Sequence, residues 1–144
     1  MLFRNGTLIG CVGIALLVSC ARAAAADWIG ITNPGELRDL FSNKTFRTHE
    51  KIHGWVAHFR DDGKGKSKGV LTKADNTIHI GSPSPRKWEV KGMDQVCITS
   101  LDTSAVNCYR FQRHRKLRNE FMMTNVSNNY VDSITVEDGI PTFQ

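Results

Sequence analysis

Val96-Cys97-Ile98-Thr99-Ser100-Leu101-Asp102-Thr103-Ser104-Ala105-Val106-Asn107-Cys108-Tyr109-Arg110-Phe111 is the stretch on which the fold turns. Apolar and polar residues alternate on both sides of Asp102-Thr103-Ser104: Val96, Ile98 and Leu101 before it, Val106, Tyr109 and Phe111 after it. A period of two is the signature of a strand with one buried face, and Asp, Thr and Ser suit a turn. A hairpin centred on Asp102–Thr103 sets Cys97 directly opposite Cys108. Opposed strand residues lie roughly 4.5 or 5.5 Å apart at Cα, a span a disulfide accepts. A redox dithiol or a metal pair would call for C-x-x-C spacing or a nearby His, and neither is present. The pair is therefore expected to be a structural disulfide, worth about 2–3 kcal/mol for so short a loop.

Outward from this hairpin, the chain punctuates itself as more short strands. On the N-terminal side these are Thr45–Thr48, Ile52–Arg60, Lys68–Lys73, Thr77–Ile80 and Lys87–Val90; on the C-terminal side, Leu117–Thr124 and Tyr130–Glu137. Asp61-Asp62-Gly63-Lys64 and Ala74-Asp75-Asn76 read as turns, and Gly81-Ser82-Pro83-Ser84-Pro85 as a loop, because proline donates no ladder bond. One helix is predicted. Asn33 is its N-cap, Pro34 its first residue and Glu36 its N3 carboxylate, while Leu37, Leu40 and Phe41 form one apolar stripe and Asn43 stops it. Such a helix would serve as a lid or plug on a sheet. About eight short antiparallel strands make the expectation all-β, a small barrel or a sandwich with a short N-terminal helix. Consecutive hairpins favour the up-and-down order of a barrel.

The 144 residues suit a single domain, and with 40% hydrophobic residues there is enough for a core. The N-terminus reads as an export signal: Arg4 is the only charge among the first twenty residues, and Leu8–Val18 is an apolar run too short to span a bilayer. Two processing routes stay open. Small residues through Ala26 suit ordinary cleavage, giving a signal peptide over 1–26 and a β domain over 27–144. Alternatively, Leu17-Val18-Ser19-Cys20 has the form of a lipobox, which makes 1–19 a lipoprotein signal and Cys20 the acylated first residue. Either route places the protein in the periplasm or outside the cell, free or membrane-anchored, where disulfides persist. Taking Arg4 and Arg22 from the 19 Lys+Arg leaves 17 against 14 acids, a net +3 for residues 27–144.

Trp88-x-Val90-x-Gly92-x-Asp94-x-x-Cys97, Cys108-Tyr109-Arg110-Phe111 and Asp138-Gly139-Ile140-Pro141 together resemble the small exported proteobacterial proteins grouped as domain of unknown function 995. The Asp27-Trp28 start, the Gly35–Phe41 helix, the Lys44-Thr45 strand and the Phe59-Arg60-Asp61-Asp62-Gly63 turn fit the same layout. The resemblance implies a lipocalin-like β fold in the envelope, without an assigned reaction.

Four groups of side chains carry the functional expectations. Lys64, Lys66 and Lys68 form one basic stretch, read as a loop; Arg113, Arg115, Lys116 and Arg118, with Arg110 and His114, form another that contains no acid. If the two meet at one end, they make a rim for an anionic polymer, a lipid head group or an acidic envelope protein. No nucleic-acid fold is recognisable, and aromatics are not interleaved with these cations. Trp55, Phe59, Trp88, Phe111 and Phe121 would fill a core or line a barrel pocket for a small apolar or amphiphilic ligand, with Met122 and Met123 beside them. His49, His53 and His58 do not converge along a strand as zinc requires. No nucleophile, phosphate-loop or metalloprotease motif occurs, and no cofactor is implied. Asp61-Asp62 and Asp132/Glu137/Asp138 are the carboxylate groupings. The expected function is non-catalytic: binding or regulating a partner through basic loops, or carrying a small ligand inside the barrel, with a hydrolase the remotest option.

Overall fold

A computed structural model describes residues 27–49, 53–72 and 78–139. The expected leader, Cys20, the Ala74-Asp75-Asn76 turn and Ile140-Pro141 lie outside the described residues. In chain order the elements are β1 (Trp28–Gly30), α1 (Pro34–Phe41), β2 (Lys44–Thr48), β3 (His53–Phe59), β4 (Lys64–Thr72), β5 (Ile78–Ile80), β6 (Ser84–Lys91), β7 (Gln95–Ser100), β8 (Val106–His114), β9 (Glu120–Asn125) and β10 (Val131–Asp138).

Every pairing is antiparallel, and β2-β3-β4-β6-β7-β8-β9-β10 run up and down until β10 meets β2. The result is a closed eight-strand barrel, consistent with a small lipocalin-like shape. Closure leaves no long unpaired edge. The short strands β1 and β5 fill the lengths of β8 and β4 that β7 and β6 do not reach. At the closing seam Val136 pairs with Phe46 and Asp138 with Lys44, whose side chains form an ion pair. Thr45 Oγ1 donates to the Gly139 carbonyl at 2.6 Å.

The hairpin is as expected: Cys97 pairs with Cys108, and the two are disulfide-bonded on the outer wall. Ser104 closes its loop in the left-handed region at φ 60°.

Two stretches read as loops are strands. Lys64–Lys68 belongs to β4, and Ser84-Pro85 to β6. The alternation Lys64-Gly65-Lys66-Ser67-Lys68 has period two, with lysines outside and small residues inside in place of the usual apolar ones. Glycine is required at 65. A Cβ there would stand 2.7 Å from both the His58 carbonyl oxygen and Phe59 Cδ1, so the Phe59 ring fills the space a larger residue would need.

The helix seals one end. Asn33 Oδ1 accepts from the Gly35 and Glu36 amides at 2.8 and 3.3 Å, a cap worth about 1 kcal/mol. Asn43, at φ 56°, turns the chain straight into β2. Leu37, Leu40 and Phe41 are buried on the barrel floor. The Phe41 ring is surrounded by Phe46, Phe59, Trp88 and Phe111 at centroid distances of 4.6, 4.8, 5.1 and 5.4 Å. Offset and edge contacts of this kind are the favourable aromatic geometries. With one end plugged, the described turns at the other, between β7 and β8 and between β9 and β10, surround an open mouth.

Candidate functional site: a cavity inside the barrel mouth

Because side chains alternate across a strand, the inward row of each strand can be read by parity from the buried floor. Along β3 the inward row is Trp55, Ala57 and Phe59; along β4, Gly65, Ser67 and Gly69; along β6, Arg86 and Trp88. In β8 it is Asn107, Tyr109 and Phe111, and in β9 and β10 it includes Met123, Asp132 and Ile134. These rows leave a cavity of about 340 Å³ above the plug. Its deep wall is Ala57, Phe59, Ile98 and Met123, with Trp55 half-buried at the side. Towards the mouth stand Ser67, Arg86, Asn107, Tyr109 and Asp132. The space is amphipathic: apolar below, with a guanidinium, a carboxylate and a phenol above.

The polar groups hold one another in place. Arg86 Nε donates to Ser67 Oγ at 2.7 Å. The Tyr109 hydroxyl has a side-chain hydrogen bond with Asn125 and lies in the fields of Asp132 and Arg86. Asn125 is fixed in turn: its Nδ2 donates to Asn107 Oδ1 at 3.4 Å, and its Oδ1 accepts from the Ser127 amide and hydroxyl. Burial first, and the Asp132 charge second, push the Tyr109 phenol above its ordinary 10.0, against the opposing pull of Arg86 and Asn125. Tyr109 is therefore a neutral hydroxyl throughout the physiological range. An Arg beside a neutral phenol can grip a carboxylate or phosphate oxygen, and Asp132 can receive a donor.

The expected aromatic pocket set divides. Trp55 and Phe59 line the cavity; Trp88 and Phe111 lie in its floor, packed on Phe41. Trp88 Nε1 also donates to the Arg60 carbonyl at 2.8 Å. Phe121 lies elsewhere, with Arg113, Arg115 and Arg118 at a hollow beside α1. The sequence assigns Arg86 no role, places Tyr109 only in the hairpin alternation and names Asp132 only within a carboxylate grouping. The available signal was a polar residue two positions from a buried aromatic or aliphatic one on the same face: Arg86 before Trp88, Tyr109 before Phe111, Asp132 before Ile134. The Asp132/Glu137/Asp138 grouping does not form a site, since Asp132 is at the mouth while Glu137 and Asp138 pair with Arg47 and Lys44 at the plugged end.

The two basic stretches do not meet. Lys64–Lys68 belongs to β4, whereas Arg110, Arg113 and His114 belong to β8, three strands away around the barrel, and Arg115–Arg118 to the turn after it. The Arg110–Arg118 stretch sits at the plugged end and is met by acids from three directions. Arg110 pairs with Asp94 at 2.9 Å, Arg113 with Glu36 at 3.5 Å and Lys116 with Asp27 at 3.8 Å. Lys64, Lys66 and Lys68 instead line an outer groove of about 520 Å³ with His58, Arg60, Pro83, Pro85 and Leu101, and among the described residues no carboxylate contributes to its walls.

The histidines separate too. His49 Nε2 faces Glu120 Oε2 at 3.0 Å and Thr135 Oγ1 at 2.6 Å, whereas His58 Nδ1 faces Thr45 Oγ1 at 3.3 Å; the His53 side chain lies outside the described residues. Among the described residues, no three His, Cys, Asp or Glu side chains are grouped to hold a metal, and no helix is long and apolar enough to cross a membrane. Comparison of the chain with known protein families, with curated proteins and with solved structures finds no match.

Proposed function

We propose that this chain is an exported, non-catalytic binding protein that holds a small amphiphilic ligand inside its barrel, head group at the mouth and apolar part on the floor. The observation that carries this is the cavity of about 340 Å³, with Phe59 and Met123 below and Arg86, Tyr109 and Asp132 above. Its volume falls at the lower end of the range for small-molecule sites, which suits one short chain or ring system rather than a phospholipid. The Leu8–Val18 run and the resemblance to small exported β proteins support the compartment. Binding through a single basic rim has less geometric support, because the two stretches lie on strands three apart and line separate hollows.

The test is to fill the cavity. Gly69 lines it, and a Cβ built there meets nothing within 4 Å, so Gly69→Phe adds a ring without displacing backbone. Native mass spectrometry of protein recovered from its host's envelope is expected to show a discrete small-molecule mass above the denatured mass, and the variant to lose it. Uptake should be insensitive to salt and unchanged when Arg113, Arg115 and Arg118 become Ser. A clean apo mass in both proteins, or retention of the ligand by Gly69→Phe, would refute the reading.

A further inference from the structure

Large apolar side chains left exposed on a soluble barrel should be scattered singly. Here they are not. Among the described residues seven are exposed, and five of them, Ile80, Leu101, Val106, Tyr130 and Val131, stand at the open end. Ile80 ends β5, Leu101 opens the β7–β8 loop, Val106 starts β8, and Tyr130 and Val131 lead into β10. Leu101 N donates to the Pro85 carbonyl at 3.0 Å, tying this loop to the wall beside β4. The five therefore form an arc around the mouth, each 44–56% exposed.

The same lip borders the cationic groove. Pro83, Pro85 and Leu101 form one side, and Lys66 and Lys68 rise from the wall below, Lys66 paired with Pro85 in register. Alternate strand residues put these lysines roughly 6.7 Å apart. Asp102, on the nearby β7–β8 loop, accepts a hydrogen bond from Ser84 Oγ at 2.7 Å. An apolar rim with cations immediately behind it is the arrangement of a surface that enters a bilayer at head-group depth while its charges meet lipid phosphates. A tyrosine on the rim fits the same place, since its ring is apolar and its hydroxyl is polar.

We propose that the open end of the barrel docks on an anionic lipid surface, with Leu101, Val106 and Val131 at the acyl boundary and Lys66 and Lys68 on phosphates. This goes beyond ligand carriage and does not depend on it: docking occurs with the cavity empty or full. It also faces the mouth towards the phase in which an amphiphile would be found.

The experiment is co-sedimentation of the full chain with vesicles of phosphatidylcholine alone and of equal parts phosphatidylcholine and phosphatidylglycerol, without added amphiphile. All results are read as differences between variants, so that the apolar 8–18 segment contributes equally to each. A lysine near an anionic surface contributes about a fivefold change in partitioning, so Lys66→Ser/Lys68→Ser should weaken binding to the anionic vesicles about 25-fold. Leu101→Ser/Val131→Ser should weaken it about tenfold or more. All four positions lie on the outside of the barrel, and circular dichroism verifies that the variants fold. Binding equal to the parent in both variants overturns the proposal, as does equal partitioning into neutral and anionic vesicles. If Leu101→Ser/Val131→Ser instead abolishes a concentration-dependent dimer and vesicle binding stays unchanged, the rim is an interface between copies of this chain and the lipid assignment fails. Vesicle binding by the parent protein when its native mass shows no small molecule would count against the cavity reading alone.

Discussion

Replacing Phe41 with Ala should remove a large fraction of the stability of this protein. Its ring is fully buried at the centre of four other rings, between 4.6 and 5.4 Å away. Truncating a core Phe costs about 3–5 kcal/mol through lost transfer energy and the cavity left behind. Aromatic pairs add about 0.5–1.5 kcal/mol each beyond area, and the helix can relax into the void only by dragging Leu37 and Leu40 with it. A loss of about 4–5 kcal/mol is therefore expected, against the roughly 5–15 kcal/mol by which domains are stable. In urea, with a slope of about 2 kcal/mol/M, the midpoint should fall by about 2 M while the slope stays the same. Phe41→Leu, which keeps much of the volume, should lose less than half as much. The assay is equilibrium unfolding followed by tryptophan fluorescence, with Trp88 in van der Waals range of the site as reporter. A loss below about 1 kcal/mol for Phe41→Ala would refute the reasoning, because a ring so placed cannot be removed cheaply if α1 plugs the barrel.

Other expectations follow from single features. Reducing the Cys97–Cys108 bond, which spans a sequence separation of 11, should cost about 2–3 kcal/mol and lower the thermal midpoint by about 10 °C; an unchanged midpoint would mean the hairpin does not depend on it. Gly65→Ala should destabilise by about 1–3 kcal/mol, since its methyl would press on the His58 carbonyl and the Phe59 ring at 2.7 Å, and wild-type-like unfolding would contradict the close approach. Phenolate absorbance should show a titration above the ordinary 10.0 that belongs to Tyr109. Because Tyr109 holds its proton more tightly folded than unfolded, its contribution is complete below pH about 10 and is lost as pH rises through the folded value. Tyr109→Phe should abolish this step, and Asp132→Asn should bring it earlier; the absence of any titration above the ordinary value would refute the buried placement.

Much of the architecture was legible in the chain itself. The Cys97–Cys108 register followed from counting outward from Asp102–Thr103, and the helix from Asn33-Pro34-Gly35-Glu36 followed by an i, i+3, i+4 stripe, because both signals are local and complete within a dozen residues. The Lys64–Lys68 and Ser84–Pro85 strands were hidden for opposite reasons. In the first, small residues take the inward positions because Phe59, from the neighbouring strand, supplies the apolar volume. In the second, a proline sits where the strand needs no donor from it.

What the sequence by itself determined was most of the strands, the pairing of one hairpin and the apolar stripe of one helix, since periodicity and turn chemistry act between near neighbours. Only the tertiary structure decided which residues share a space. Closure of β10 on β2 and insertion of Phe41 among four rings sent Trp88 and Phe111 into the floor and left Trp55 and Phe59 facing a cavity. The same closure carried Arg86, Tyr109 and Asp132, far apart along the chain, to one mouth, and kept the two basic stretches at separate hollows. A strand's period assigns a side chain to a face; only the closed circuit of eight strands says which faces look at one another.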